Sequence, residues 1–105
     1  MADDNACKAS GLSGECEALA EKLAAISHPY RIKILHELSN QGGACCGEVV
    51  QSLPIAQSTV SQHLKILAQA GLIVVHTEGQ KSLYSVNSEA LAGVIEEVQK
   101  LKCCC

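Results

Sequence analysis

The sequence predicts a mainly helical domain that carries one small β-hairpin in its C-terminal half. Apolar residues recur every three or four positions over most of the chain, and proline and glycine divide this pattern into short helices. Two segments, Leu72 to His76 and Leu83 to Val86, are rich in β-branched and aromatic residues and flank a glycine-containing loop. A chain of 105 residues fits one domain. Because so small a domain buries a modest share of its surface, we expect a second copy to complete it.

The first two helices are defined by their ends. Residues 1–13 are small and polar and predict a flexible tail. Ser13 can cap a first helix whose first turn is acidic, which suits the positive end of the helix dipole. Pro29 ends this helix and suits the first position of the second. The second helix then extends to the Asn40-Gln41-Gly42-Gly43 break.

The next two helices are separated by a short turn. We predict a third helix from Cys45 to about Ser52, because Leu53-Pro54 forces a turn there. The fourth runs from Gln57 to Gln69, and Gly71 is its predicted C-cap. Its two faces differ in polarity: Val60, Leu64 and Leu67 form an apolar stripe, opposite Ser58, Ser61, Gln62, Lys65 and Gln69.

The hairpin and a last helix complete the domain. Thr77 to Lys81 is the predicted loop between the two strands. The last helix begins at Ser88 and Glu89, and an apolar seam follows it at Leu91, Val94, Val98 and Leu101. Such a seam packs against a second subunit or within one subunit. The domain therefore spans residues 14–102, and residues 103–105 form a cysteine tail.

The charge distribution points to the middle of the chain as a nucleic-acid face. The net charge is -3, but most acidic residues lie near the two ends. Lys65 and Lys81 lie in the middle, where the acidic residues are sparse. The same pattern also fits a middle that is merely less charged. With Tyr30 and Tyr84 as the only aromatic residues, a platform for stacking single-stranded bases is excluded.

Two helices joined by a short turn, the second with exposed donors and acceptors, meet the requirements for reading a major groove. The hairpin that follows can lie along the phosphates. Together they predict a winged helix-turn-helix, although the fourth helix alone could be an ordinary amphipathic surface helix. The predicted contacts to double-stranded DNA are Gln57, Ser58, Thr59, Ser61, Gln62, His63, Lys65 and Lys81.

Two segments resemble the ArsR/SmtB family of metal-responsive repressors. SHPYRIKIL, from Ser27 to Leu35, is similar to the family's second helix, and QSTVSQHLKIL, from Gln57 to Leu67, to its recognition helix. The residues that follow the second segment, Ala70 to Ile73, are similar to the exit from the family's recognition helix. The resemblance as a whole covers about Leu19 to Leu101. It implies four helices, a hairpin and a fifth helix, with the first and last helices forming a homodimer. It also implies a repressor that leaves its operator DNA when an ion binds.

The seven cysteines suggest how such an ion would be held. No signal peptide or membrane span is evident, so we expect a cytoplasmic protein whose thiols are ligands or redox groups rather than disulfides. Buried cysteines can also serve simply as small hydrophobic residues. Cys45 matches the first position of a Cys-x-Cys that the family's soft-metal sensors carry at this helix. Cys46 is adjacent instead, and neighbours on a regular helix point about 100° apart. Chelation by this pair then needs a distorted first turn or a third sulfur, from Cys16 or Cys7.

A second candidate cluster is Cys103, Cys104 and Cys105, since some arsenic-responsive relatives place vicinal cysteines at the end of the last helix. A terminal run of this kind could equally be a nonspecific thiol tail. Sulfur ligands favour trivalent arsenic or antimony, cadmium, lead, copper(I) or zinc. The resemblance favours trivalent arsenic or antimony, including methylarsenite.

The four histidines show no ligand spacing, and we predict that His28, His36, His63 and His76 are surface or packing residues.

Two alternatives to an ion-released repressor stay open. One is a thiol-redox or persulfide-responsive repressor of the same fold. The other is a soft-metal buffer. No arrangement of residues suggests an enzyme.

Overall fold

Five helices and three strands make up residues 14–102, the part of the chain that the computed structural model describes. The predicted tail 1–13 with Ser13 and Cys7, and the cysteines 103–105, lie outside these residues. The predicted mainly helical, winged helix-turn-helix class is confirmed. The elements are α1 (Gly14–Ile26), α2 (Pro29–Gln41), β1 (Ala44–Cys45), α3 (Cys46–Val50), α4 (Gln57–Gln69), β2 (Ile73–Glu78), β3 (Lys81–Val86) and α5 (Ser88–Lys102).

A short strand separates α2 from α3, and the sequence analysis missed it. The predicted third helix began at Cys45, but Cys45 is extended and pairs with Leu83 of β3, while Ala44 pairs with Tyr84. Pairing with β3 holds these two residues extended, so the helix begins one residue later and ends at Val50. β1 thereby joins the hairpin in a three-stranded antiparallel sheet of order β1-β3-β2.

The hairpin is tighter than predicted. Its register runs from Ile73 opposite Val86 to Glu78 opposite Lys81, so that only Gly79 and Gln80 form the turn. The predicted loop of residues 77–81 was therefore too long. Gly79 has a φ of 62°, as required at the first central position of a type II′ turn, whose twist matches that of paired strands.

The apolar stripe of α4 forms the centre of the core, as predicted. Val60, Leu64 and Leu67 are fully buried. Gly71 follows the helix in the left-handed conformation, with a φ of 79°. The Leu72 N–H then bonds to the Leu67 carbonyl at 3.0 Å, a Schellman arrangement that directs Leu72 into the core. Ile34, Leu38 and Val49, from α2 and α3, are also fully buried.

The helices α1 and α5 pack against each other at the other side of the domain. The predicted seam of α5 divides here. Val94 is buried and Leu91 half-buried, whereas Val98 and Leu101 are 39% and 71% exposed. The C-terminal half of the seam therefore has no cover within residues 14–102. Within the same residues, no helix combines the length and the apolar character that crossing a membrane requires.

Candidate nucleic-acid interface and thiol groove

The outer face of α4 presents a row of polar side chains. Burial of the opposite stripe fixes the rotation of the helix, so these side chains point away from the core. The exposed residues of this face, which we call the reading face, are Gln57, Ser58, Thr59, Ser61, Gln62 and Lys65. Their hydroxyl, amide and ammonium groups can donate to, or accept from, the edges of base pairs and phosphate oxygens.

His63, the remaining predicted DNA contact on α4, is half-buried. Its ring centroid lies 4.6 Å from that of His28 and 6.2 Å from that of Tyr30. His28 is the N-cap of α2, where its Nδ1 accepts the Tyr30 N–H at 3.1 Å. The structure thus brings together two histidines that sequence spacing had left apart, and they join α4 to the start of α2.

The surroundings of His63 disfavour its protonated form. Burial lowers the pKa of His63, and the nearby His28 and Arg31 lower it further. Its Nδ1 is buried without a hydrogen-bond partner, as is Nε of Arg31. A charge on His63 would therefore meet two basic neighbours in a partly desolvated place.

The hairpin, which we call the wing, carries Lys81 at the first position of β3, where the side chain is exposed. Across from it lies Glu48 of α3. The pKa of Glu48 is lowered by hydrogen bonds from the backbone and side chain of Cys45, and the Lys81 charge adds to this shift. The wing and the start of α3 therefore face each other closely enough for their charges to interact.

An open groove of about 610 Å³ lies between α3, α4 and the wing. It brings predicted DNA contacts and predicted thiol ligands to one place, which sequence spacing could not show. We call it the thiol groove. Its lining residues are Cys45, Cys46, Gly47, Gln57, Ser58, Ser61, Gln80, Lys81, Ser82 and Tyr84.

Cys45 and Cys46 line one groove, and they are not neighbours within one regular helix. Cys45 precedes the helix with φ −89° and ψ 166°, so the regular helical angle between adjacent side chains does not apply. The Cys45 N–H donates to Glu48 Oε1 at 2.9 Å, which holds this bend. Burial raises the pKa of Cys46, and the neighbouring Cys45 raises it further. Both side chains are half-buried and line the same groove.

Cys16 lies elsewhere. It is half-buried on α1 and does not line the thiol groove. Among residues 14–102, no three histidine, cysteine, aspartate or glutamate side chains converge in a way that could hold a metal ion. Cys103, Cys104 and Cys105 lie outside the described residues.

Comparison with known proteins agrees with this architecture. Residues 28–75 match the family described as "Bacterial regulatory protein, arsR family". The HTH-type transcriptional regulator YgaV of Escherichia coli K12 is 35% identical over 92 residues, which are 88% of this chain and 93% of that protein. The arsenical resistance operon repressor of Bacillus subtilis is 35% identical over 77 residues, 73% of either chain.

A solved structure shows the same fold. The ArsR-like transcriptional regulator from Rhodococcus sp. RHA1 superposes with a TM-score of 0.77 at 23% identity, over 86% of this chain and 84% of that one. The sequence relatives are transcriptional regulators rather than enzymes. With its reading face, its wing and these relatives, the chain belongs to the arsR family of bacterial regulatory proteins and is a DNA-binding transcriptional regulator.

Proposed function

We propose that this regulator is a repressor that leaves its operator DNA when a thiophilic ion binds Cys45 and Cys46. The observation that carries the proposal is the thiol groove, in which these two thiols lie beside Gln57, Ser58 and Ser61 of the reading face. A ligand of the thiols is therefore placed within reach of the surface that contacts DNA.

In the DNA-bound state, α4 lies in a major groove and the wing follows the backbone. Ser58, Ser61 and Gln62 read base edges, and Lys65 and Lys81 contact phosphates. Two copies place their recognition helices about 34 Å apart, one turn of DNA, on an imperfect palindrome.

The second copy packs on α1 and α5. The exposed apolar residues there are Leu23 on α1 and Ile95, Val98 and Leu101 on α5, with Ile95 58% exposed. An apolar face of this kind is stabilised when a partner covers it. We propose that the dimer interface includes these residues, in line with the prediction of an α1 and α5 interface.

The inducer that fits the pair best is trivalent arsenic or antimony. Both elements bind thiolate sulfur in preference to oxygen ligands. The arsenic of methylarsenite keeps its bond to carbon and has two further positions that sulfur can occupy. This number matches the two thiols of the groove. Arsenite and antimonite offer three positions, and Cys16 of a second copy or the 103–105 cysteines would supply the third sulfur. Cadmium, lead and zinc are softer or borderline metals that the same thiols can hold.

The adjacency of the two thiols also favours a second candidate, control by oxidation. Loss of two electrons and two protons to peroxide would join Cys45 and Cys46, or one of them and another cysteine, in a disulfide. The same groove would then report oxidants or persulfides rather than ions.

Fluorescence anisotropy on the DNA upstream of the gene tests these alternatives. The reduced protein is titrated with arsenite, antimonite, methylarsenite, cadmium and zinc, and separately with hydrogen peroxide. Release by trivalent arsenic or antimony supports the proposal, and release by peroxide alone supports redox control. Failure of the reduced protein to bind this DNA at any ionic strength contradicts the repressor function. The same failure to bind DNA would favour a soft-metal buffer over a repressor.

A further inference from the structure

We infer that DNA and any group attached to the groove thiols obstruct each other directly, so that a single-thiol adduct suffices for release and chelation of an ion is not required. This inference rests on the proposed function and goes beyond it. It makes the thiol groove a modification site for neutral, thiol-reactive electrophiles.

The walls of the groove are the two surfaces that contact DNA. One wall is the N-terminal part of α4, with Gln57, Ser58 and Ser61, and the opposite wall is the tip of the wing, with Gln80 and Lys81. DNA that contacts both walls spans the opening between them. The thiols then lie underneath the DNA.

The thiols are held in this place by the backbone. Cys45 is paired with Leu83 of β3, and its N–H donates to Glu48 at 2.9 Å. Moving Cys45 out of the groove breaks both contacts, and Cys46 begins α3 directly after it. The attachment points of both sulfurs therefore stay at the groove, and an adduct on either sulfur adds bulk between its walls.

The groove is open, so reagents reach the thiols when DNA is absent. With iodoacetamide, a sulfur–carbon bond forms as the carbon–iodine bond breaks, iodide leaves, and the thiol proton passes to solvent. With N-ethylmaleimide, the sulfur adds to the carbon–carbon double bond and the proton ends on the neighbouring carbon. Both adducts are uncharged. They add no negative charge to repel the phosphates, so a loss of DNA binding by folded protein is not caused by electrostatic repulsion.

The first test is protection of the thiols by DNA. Trypsin separates Cys45 and Cys46, in peptide 34–65, from Cys16, in peptide 9–22. Alkylation by iodoacetamide is followed for each peptide by mass spectrometry. With operator DNA at ten times its Kd, only about a tenth of the protein is free, so alkylation of peptide 34–65 should slow about tenfold. Alkylation of peptide 9–22 should keep its rate, and DNA of scrambled sequence serves as the control.

Equal alkylation of peptide 34–65 with and without bound operator overturns the inference while leaving the repressor function intact. Failure to bind operator in the preceding anisotropy measurement overturns the repressor function and the inference with it. The anisotropy and alkylation measurements together therefore distinguish the two failures.

The second test asks whether an adduct in the groove blocks DNA. Wild type and a Cys45→Ser, Cys46→Ser variant are both treated to completion with N-ethylmaleimide, which modifies all other cysteines in each. Circular dichroism melting checks that both proteins remain folded. The inference predicts at least a tenfold loss of operator affinity for treated wild type and less than a twofold change for the treated variant. Equal loss in the two proteins overturns it.

Discussion

Individual side chains on α4 differ in what they can contribute to binding. Gln62 is exposed and carries both a donor and an acceptor, which suits it to a base edge. Lys65, one turn along, carries a point charge that suits a phosphate. His63 lies between them in sequence but is turned inward against His28. We therefore expect separate roles for the three neighbours, which substitution can distinguish.

Replacing Gln62 with alanine should weaken operator binding by about 1 to 3 kcal/mol and relax specificity at one base pair. Replacing Lys65 with alanine should weaken binding to all sequences alike and lower the salt slope by about one. Anisotropy at several salt concentrations measures both effects. Gln69→Ala is the matched control, because Gln69 is also exposed on α4 but lies at its far end. A control that loses as much affinity as Gln62→Ala would contradict this assignment.

His63 should make the stability of the domain depend on pH. Its folded-state pKa is lowered, chiefly by burial and then by His28 and Arg31, so the unfolded chain binds the proton more readily. The stability that depends on neutral His63 is fully present above the unfolded-state pKa of about 6.5. It is lost as the pH falls through the lower pKa of the folded state. We expect the Tm to decrease between about pH 7.5 and pH 5.

His63→Gln should flatten this dependence, because it removes the group that the folded state cannot easily protonate. The matched control is His36→Gln, at an exposed position of α2. Melting curves in buffers of constant ionic strength make the comparison. If the slope is the same in His63→Gln and wild type, His63 is not its source.

At the scale of elements, the local sequence determines the structure most clearly in α4 and in its connection to β2. The buried stripe fixes the rotation of the helix, and Gly71 redirects the chain so that Leu72 enters the core. Both features were predictable, because helical periodicity and a glycine after the last turn are local signals. The reading face followed from the same periodicity.

The features that were not predictable depend on contacts between distant segments. A two-residue strand such as β1 has no periodicity of its own, and only pairing with β3 makes Cys45 extended. The contact between His28 and His63 depends on how α4 packs on α2. Predicting the thiol groove requires the relative positions of α3, α4 and the wing, which no single segment specifies. Cys45, Cys46 and the reading face were each named from sequence, but not their proximity.

The turn after α4 can be tested through Gly71. At a φ of 79°, a side chain is strained even where space is available, so Gly71→Ala should cost about 1 kcal/mol. Gly93→Ala is the control: a Cβ at this helical position meets nothing within 4 Å, and it should stabilise by about 0.4 to 1 kcal/mol. Urea unfolding measures both. Effects of the same sign would show that backbone conformation does not decide the outcome.

At the scale of the whole molecule, the exposed C-terminal end of α5 is the surface on which we expect a second copy of the chain to pack. Ile95 and Leu101 are 58% and 71% exposed, and glutamate at either position should leave the fold of one subunit unchanged. In a dimer the same charge would be buried, at a cost of several kcal/mol. Ile95→Glu and Leu101→Glu should therefore shift the protein to monomer in sedimentation velocity and weaken operator binding.

Val74→Glu is the control for this prediction, because Val74 is 47% exposed on β2, outside the proposed interface. It should remain a dimer. Should Ile95→Glu and Leu101→Glu both sediment as wild type does, the proposed α1 and α5 interface would be wrong.

Control of DNA binding by the Cys45–Cys46 pair is tested most directly by one measurement. Methylarsenite is titrated into the complex of operator DNA with three proteins: wild type, the Cys45→Ser, Cys46→Ser variant, and a chain truncated after Lys102. We predict that methylarsenite releases DNA from wild type and from the truncated chain, whereas the double-serine variant binds the same DNA and stays bound. Release from the double-serine variant with none from the truncated chain would contradict the claim and assign sensing to the terminal cysteines.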